Sequence, residues 1–227
     1  MIGVTENLNI VKDLLAQAAN EAKRDPASVR LLAVSKRQAL EKVLQAAAAG
    51  QRDFGENQVQ EALPKIEQTA SENLVWHFIG QLQSNKTRAI AEHFDWVHSI
   101  DREKIAHRLN EQRPAELEPL QVCVQVNVDG EDSKGGVAPT ELLDLARAVG
   151  ELPRLKLRGL MCLPMPRDEF ALQRKPFKML RELAEFLQAE GIEMDTLSMG
   201  MSNDYRAAVF EGATIVRLGT AIFGARP

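Results

Sequence analysis

The chain has 227 residues, 44% of them hydrophobic and 26% charged, which is ordinary for a globular protein able to bury a substantial core. Its formal net charge of -4 and its single tyrosine argue against electrostatic nucleic-acid binding and against base-stacking platforms. No apolar stretch nears the roughly 18 residues of a membrane span, and no signal-peptide pattern follows Met1, so the expectation is a cytoplasmic protein without membrane association. Cys123 and Cys162 sit inside apolar runs, where buried free thiols in a reducing compartment are expected, and their spacing carries no metal signature.

From Thr5 to about Lys23, the spacing of Leu8, Val11, Leu15, Ala18 and Ala22 predicts one face of a helix, which Asp25-Pro26 ends. Val29 to Val34 is an apolar, β-favouring run that stops abruptly at Ser35-Lys36. A helix over Ala39 to Ala49 closes at Gly50, and Arg52 to Asn57 is a short strand. Gln58 to about Ala70 reads as a helix that Pro64 should kink or interrupt. Leu74 to Gly80 is a strand, Ser84 a cap for a helix over Asn85 to His93, and Asp95 to Asp101 the fourth strand, followed by a helix to about Gln112. A fifth strand, Leu120 to Val128, runs into the charged, glycine-rich segment 129–136. A helix opened by Pro139-Thr140 follows, then strand Leu155 to Leu163 and a long helix inside Leu172 to Glu190. A short strand at Thr196 to Gly200, a helix over Asn203 to Glu211 and a last strand at Ala213 to Leu218 complete the chain.

Eight strands separated by helices, with no linker or composition break, imply a parallel sheet with right-handed crossovers. The length suits a closed (β/α)8 TIM barrel, one domain over residues 1–227, with the leading helix completing the outer ring because little follows the last strand. An open doubly wound sheet is the alternative, but no Gly-x-Gly-x-x-Gly turn favours it.

In a barrel the ligand site lies at the C-terminal ends of the strands. Lys36 ends the first, Glu56-Asn57 the second, and Ser198-Met199-Gly200-Met201-Ser202 the seventh, with Gly219-Thr220 just beyond the eighth. Loops after strands seven and eight, rich in small residues and next to helix starts, are where barrels bind phosphate. The plainer alternative for them is a capped helix and a tight turn. A strand-end lysine facing a phosphate cradle suggests pyridoxal phosphate, whose aldehyde forms a Schiff base with lysine. Arg217, inside the last strand, would leave the pyridine nitrogen unprotonated, because two positive charges would otherwise face each other. That weakens the ring as an electron sink and suits binding or racemase-type chemistry better than transamination.

Several stretches resemble one family: Ala33-Val34-Ser35-Lys36, Phe54-Gly55-Glu56-Asn57, His77 through Lys86, Ser198 through Ser202 and Arg217-Leu218-Gly219-Thr220. They are similar to the motifs of the pyridoxal phosphate homeostasis proteins, single-domain relatives of the alanine racemase barrel. The resemblance spans nearly the whole chain. It implies a Schiff base at Lys36, phosphate contacts from Ser198, Gly200, Met201, Ser202, Gly219 and Thr220, Arg217 near the pyridine nitrogen, and Asn57 close to the cofactor. It further implies a role in vitamin B6 balance without an established reaction.

A two-base racemase needs a second proton donor, commonly a tyrosine. Tyr205 is the one tyrosine and is expected to pack near its helix start. A carrier without turnover, monomeric and with cofactor-dependent apo-enzymes as candidate recipients, is therefore the leading expectation. A slow single-domain amino-acid racemase is the alternative. A class I aldolase ranks last, since Lys156 falls at the wrong end of strand six. His77 and His98 could line the pocket or be packed and hydrogen-bonded, Glu56 could orient Lys36 or Asn57 or be a solvated charge, and Lys134 is expected to be solvated.

Overall fold

The computed structural model describes residues 3–130 and 135–225. Lys134 lies outside the described residues. Eight parallel strands close on themselves in chain order: β1 (Arg30–Val34), β2 (Asp53–Glu56), β3 (Val75–Phe78), β4 (Trp96–Ile100), β5 (Leu120–Gln125), β6 (Leu155–Met161), β7 (Thr196–Ser198) and β8 (Ile215–Leu218). Closure runs through β8 against β1, with Leu32 beside Arg217 and Ala33 beside Leu218. The seam between β7 and β8 is short, with Ser198 beside Ile215.

Between the strands lie α2 (Leu40–Ala48), α3 (Val59–Gln68), α4 (Thr87–His93), α5 (Glu103–Gln112), α6 (Leu142–Gly150), α7 (Phe170–Ala189) and α8 (Tyr205–Phe210). The leading helix α1 (Val4–Glu21) buries Leu8, Val11, Leu15 and Ala18 and packs against α2, α8 and the four-residue α9 (Thr220–Phe223), so it fills the gap in the outer ring. The large apolar core lies between helices and sheet. A second, smaller cluster of Leu32, Trp96, Cys123, Met161 and Ile215 fills the inside of the barrel.

Two local expectations are corrected and one is narrowed. Pro64 does not break α3, which runs through it. It sits on the exposed face, and the carbonyl its missing N–H would have paired with belongs to exposed Gln60, where water can satisfy it. Ser84 does not cap α4 with its side chain; the helix starts at Thr87, and the Ser84 carbonyl accepts from Thr87 Oγ1 (3.0 Å) and Arg108 Nε (3.1 Å). Strand β5 stops at Gln125, and Val126 instead bridges to Val137 across the glycine-rich loop. Both cysteines are buried and free, and burial pushes each thiol up to about 12, so neither is a nucleophile at neutral pH.

Candidate binding site at the barrel mouth

The C-terminal ends of the strands enclose a cavity of about 330 Å³. Lys36, Asn57, Met201, Ser202, Arg217, Gly219 and Thr220 all line it. Ser198 and Gly200, singled out from the same motifs, are not on its wall. They stand behind it and set the positions of those that are.

Lys36 follows β1 in a tight turn in which Gln38 N–H donates to the Ser35 carbonyl (3.0 Å) and Arg37 takes a positive φ of 58°. The turn is fixed from beneath. Lys65 Nζ, on α3, donates to the Ser35 carbonyl (2.9 Å) and to Glu56 Oε1 (2.6 Å), which also accepts from Ser35 Oγ (2.7 Å). All three residues are buried, so Glu56 is not a solvated loop charge. It holds the residue before Lys36. Burial pushes its carboxyl above the usual range, against the pull of the Lys65 ammonium, and its second oxygen, Oε2, is buried without a hydrogen bond. Sequence reasoning missed Lys65. The available signal was its spacing after Val59 and Ala62, which places a lysine on the buried stripe of an amphipathic helix.

Asn57 leaves the end of β2, and Gly80, at the end of β3, presses on it. A Cβ at Gly80 would lie 2.3 Å from the Asn57 carbonyl oxygen, so only glycine allows this approach. Ser99 Oγ donates to the Gly80 carbonyl (2.5 Å) and fixes it from the other side. Ile79, from the stretch His77 through Lys86, also reaches the wall, as does Gln38, which had not been picked out from the sequence.

On the opposite side, Gly200 has a φ of +94°, and a Cβ there would meet the Ala208 side chain at 2.6 Å. The bare backbone lets the loop after β7 lie flat on α8. Asp204 Oδ1 accepts from Met201 N–H (2.6 Å) and shapes the turn into the helix. The N–H groups of Ser202 and Thr220 find no acceptor among the described residues and lie at the cavity.

Arg217 is buried on β8 with its guanidinium at the cavity floor. Nη1 donates to the Ser198 carbonyl (2.6 Å) and to Ser198 Oγ (2.8 Å), and Nη2 donates to the Cys162 carbonyl (2.8 Å). Burial lowers its pKa from an ordinary value far above neutrality. His77 and His98 lie inside the barrel below this point, fully buried and hydrogen-bonded to each other (2.9 Å). They do not reach the cavity wall. Tyr205 packs against the outer core, and Lys156 is exposed near the start of β6, remote from the mouth.

Residues 8–227 match the family model described as alanine racemase, N-terminal domain. The pyridoxal phosphate homeostasis protein of Pseudomonas aeruginosa is 58% identical over 226 residues, covering 100% of this chain and 97% of that one. The protein of the same name from Escherichia coli K12 is 50% identical over 232 residues, covering 100% and 98%. Among solved structures, PipY of Synechococcus elongatus, determined with pyridoxal phosphate bound, is 38% identical with a TM-score of 0.82, covering 92% of this chain and 100% of that one. No helix among the described residues is long and apolar enough to cross a membrane, and no group of metal-ligating side chains is found among them. The chain belongs to the pyridoxal phosphate homeostasis proteins, within the family of the alanine racemase N-terminal domain.

Proposed function

We propose that this chain binds pyridoxal 5'-phosphate in the mouth cavity, as a Schiff base on Lys36, and serves intracellular homeostasis of the cofactor without turning over a substrate. The observation that carries this reading is the placing of Lys36 and Arg217 in one cavity with the loops of Ser202 and Gly219-Thr220. The fit is chemical as well as spatial. Ser202 and Thr220 offer hydroxyls and N–H groups without acceptors to a phosphate. Arg217 offers a permanently charged donor to an unprotonated ring nitrogen. When bound, the cofactor supplies a reactive aldehyde and a conjugated ring.

Lys36 is half-buried and lines the cavity, and its backbone is positioned through the clamp on Ser35. Lys36 would hold the cofactor through its Nζ at the aldehyde carbon, the electrophile that the cofactor would supply there. Asn57, Ser198 and Gly200 complete the assignment. Asn57 lines the cavity, Ser198 holds Arg217, and Gly200 lets the phosphate loop close on α8. Absence of turnover is supported by Tyr205, which packs on the outer core rather than offering a second acid–base group at the cavity. The chain works as a monomer in this account, with cofactor-dependent apo-enzymes as recipients.

Titration with the cofactor, followed by visible absorption, tests the reading. The wild type should develop an imine band at one equivalent, Lys36→Ala should develop none, and pyridoxal lacking the phosphate should bind at least tenfold more weakly. A wild type that takes up no cofactor, or a Lys36→Ala variant with the same band, overturns it.

A further inference from the structure

The mouth does not account for the polar residues buried inside the barrel. From Arg217 a chain of short contacts descends through the interior: Arg217 Nη1 to Ser198 Oγ (2.8 Å), Ser198 Oγ to His98 Nδ1 (2.7 Å), His98 Nε2 to His77 Nδ1 (2.9 Å) and His77 Nε2 to Asp53 Oδ1 (3.0 Å). The five residues come from β8, β7, β4, β3 and β2, and they cross from the mouth to the opposite face. There Asp53 also accepts from Arg30 (3.3 Å). Ser198, His77 and His98 are fully buried, and among the described residues no carboxylate forms an ion pair with Arg217.

The two ends decide the order of the protons. A guanidinium can only donate, and an ionised carboxylate can only accept. Arg217 takes one of the two lone pairs of Ser198 Oγ, and the buried hydroxyl hydrogen finds its acceptor at an unprotonated His98 Nδ1. His98 must then carry its proton on Nε2 and donate to His77 Nδ1, and His77 in turn carries its proton on Nε2 and donates to Asp53. Reversing any link would turn an unprotonated ring nitrogen toward a carboxylate or leave a buried hydroxyl hydrogen without a partner. Burial, the largest influence on both imidazoles, holds them below their ordinary pKa; for His77 the Asp53 carboxylate pulls the other way.

We propose that Arg217→Ser198→His98→His77→Asp53 is a one-way hydrogen-bond relay that links the cavity arginine to a carboxylate at the far end of the barrel. His98, His77 and Asp53 are then positioning residues for Arg217. Hydrogen bonds in such a chain polarise one another, so the Asp53 charge partly balances a guanidinium buried without a direct counter-ion. The inference rests on the proposed function only for what Arg217 touches. The relay itself belongs to the ligand-free chain.

Nitrogen NMR of the histidine-labelled, ligand-free protein at neutral pH reads the proton order directly. Both His77 and His98 should be neutral with the proton on Nε2. A proton on Nδ1 of His98, or a doubly protonated ring at either position, overturns the relay. Transmission is tested with Asp53→Asn, which keeps the shape and removes the charge. This change should shift the His98 Nε2–H and Arg217 Nη–H resonances, and the Arg217 response should vanish when Ser198→Ala is added. Arg217 resonances that ignore Asp53→Asn, or that still respond in the double variant, show separate contacts rather than a relay. If Asp53→Asn does not fold, the proton positions in the wild type still decide. Because no cofactor is present, a failed cofactor titration and a failed relay cannot be mistaken for one another.

Discussion

The two ends of this barrel are built on opposite principles. At the N-terminal face, charges are matched and closed off. Arg30 and Arg158 stand over Trp96, each within 5.3 Å of the ring centroid, while Asp53 takes Arg30 and Asp195 takes Arg158. At the C-terminal face, the Ser202 and Thr220 N–H groups, the Lys36 amine and one edge of Arg217 converge on a cavity. One end holds the sheet together, and the other lines a cavity. The division follows from the parallel strands, which bring all βα loops to one rim and leave the other rim to short returns.

Beneath the mouth, the Glu56–Lys65 pair should show the largest stability effect. Lys65→Ala leaves a buried carboxylate without its partner and should cost about 3–5 kcal/mol in urea unfolding. Replacing Glu56 and Lys65 together by leucine and methionine should recover most of that loss. If the single variant costs less than a surface pair would, the clamp does not hold the Lys36 turn. Gly80→Ala pushes a Cβ into the Asn57 carbonyl and should cost about 1–3 kcal/mol, with weakened cofactor uptake as well.

Acid should act through the interior that joins the two ends. His77 and His98 have folded-state pKa values below the ordinary 6.5, so the unfolded chain binds protons first as pH falls. Their contribution is complete above that value and is lost from about pH 6.5 downward, with a slope of up to ~1.4 kcal/mol per pH unit for each histidine. Asp53 adds a later loss. Burial would raise its carboxyl, but the His77 hydrogen bond and the Arg30 charge outweigh this and hold it low, so its contribution disappears only as pH falls below the ordinary carboxylate range. Urea unfolding at pH 7 and pH 5 measures the first step; equal stability at both would contradict neutral buried imidazoles. The smallest effect belongs to the N-terminal face. Arg158→Ala removes a partly exposed pair and one cation–π contact, and should cost about 1 kcal/mol while leaving cofactor uptake unchanged.

Much of the architecture was legible in the sequence because each βα unit carries its own signal. Leu31 to Val34 is apolar throughout, as a strand covered on both faces must be, and Lys36 stands out where that run ends. The same two-sided burial hid the relay. In β3, His77 alternates with Trp76 and Phe78, but burial on both faces removes the contrast that tells an inward residue from an outward one. The link from His98 to Ser198 spans 100 residues, and only closure of the sheet brings them together. Lys65 was obscured differently. Lysine is mostly exposed, and nothing local reveals that Glu56, nine residues earlier, lies beneath it.

The central claim is that Lys36, held at the mouth, captures the cofactor aldehyde. The most direct test is borohydride reduction of the protein mixed with pyridoxal phosphate, followed by peptide mass mapping. The account predicts one reduced phosphopyridoxyl group per chain, on the peptide containing Lys36. A chain that gains no such mass, or gains it on other lysines with Lys36 unmodified, would contradict it.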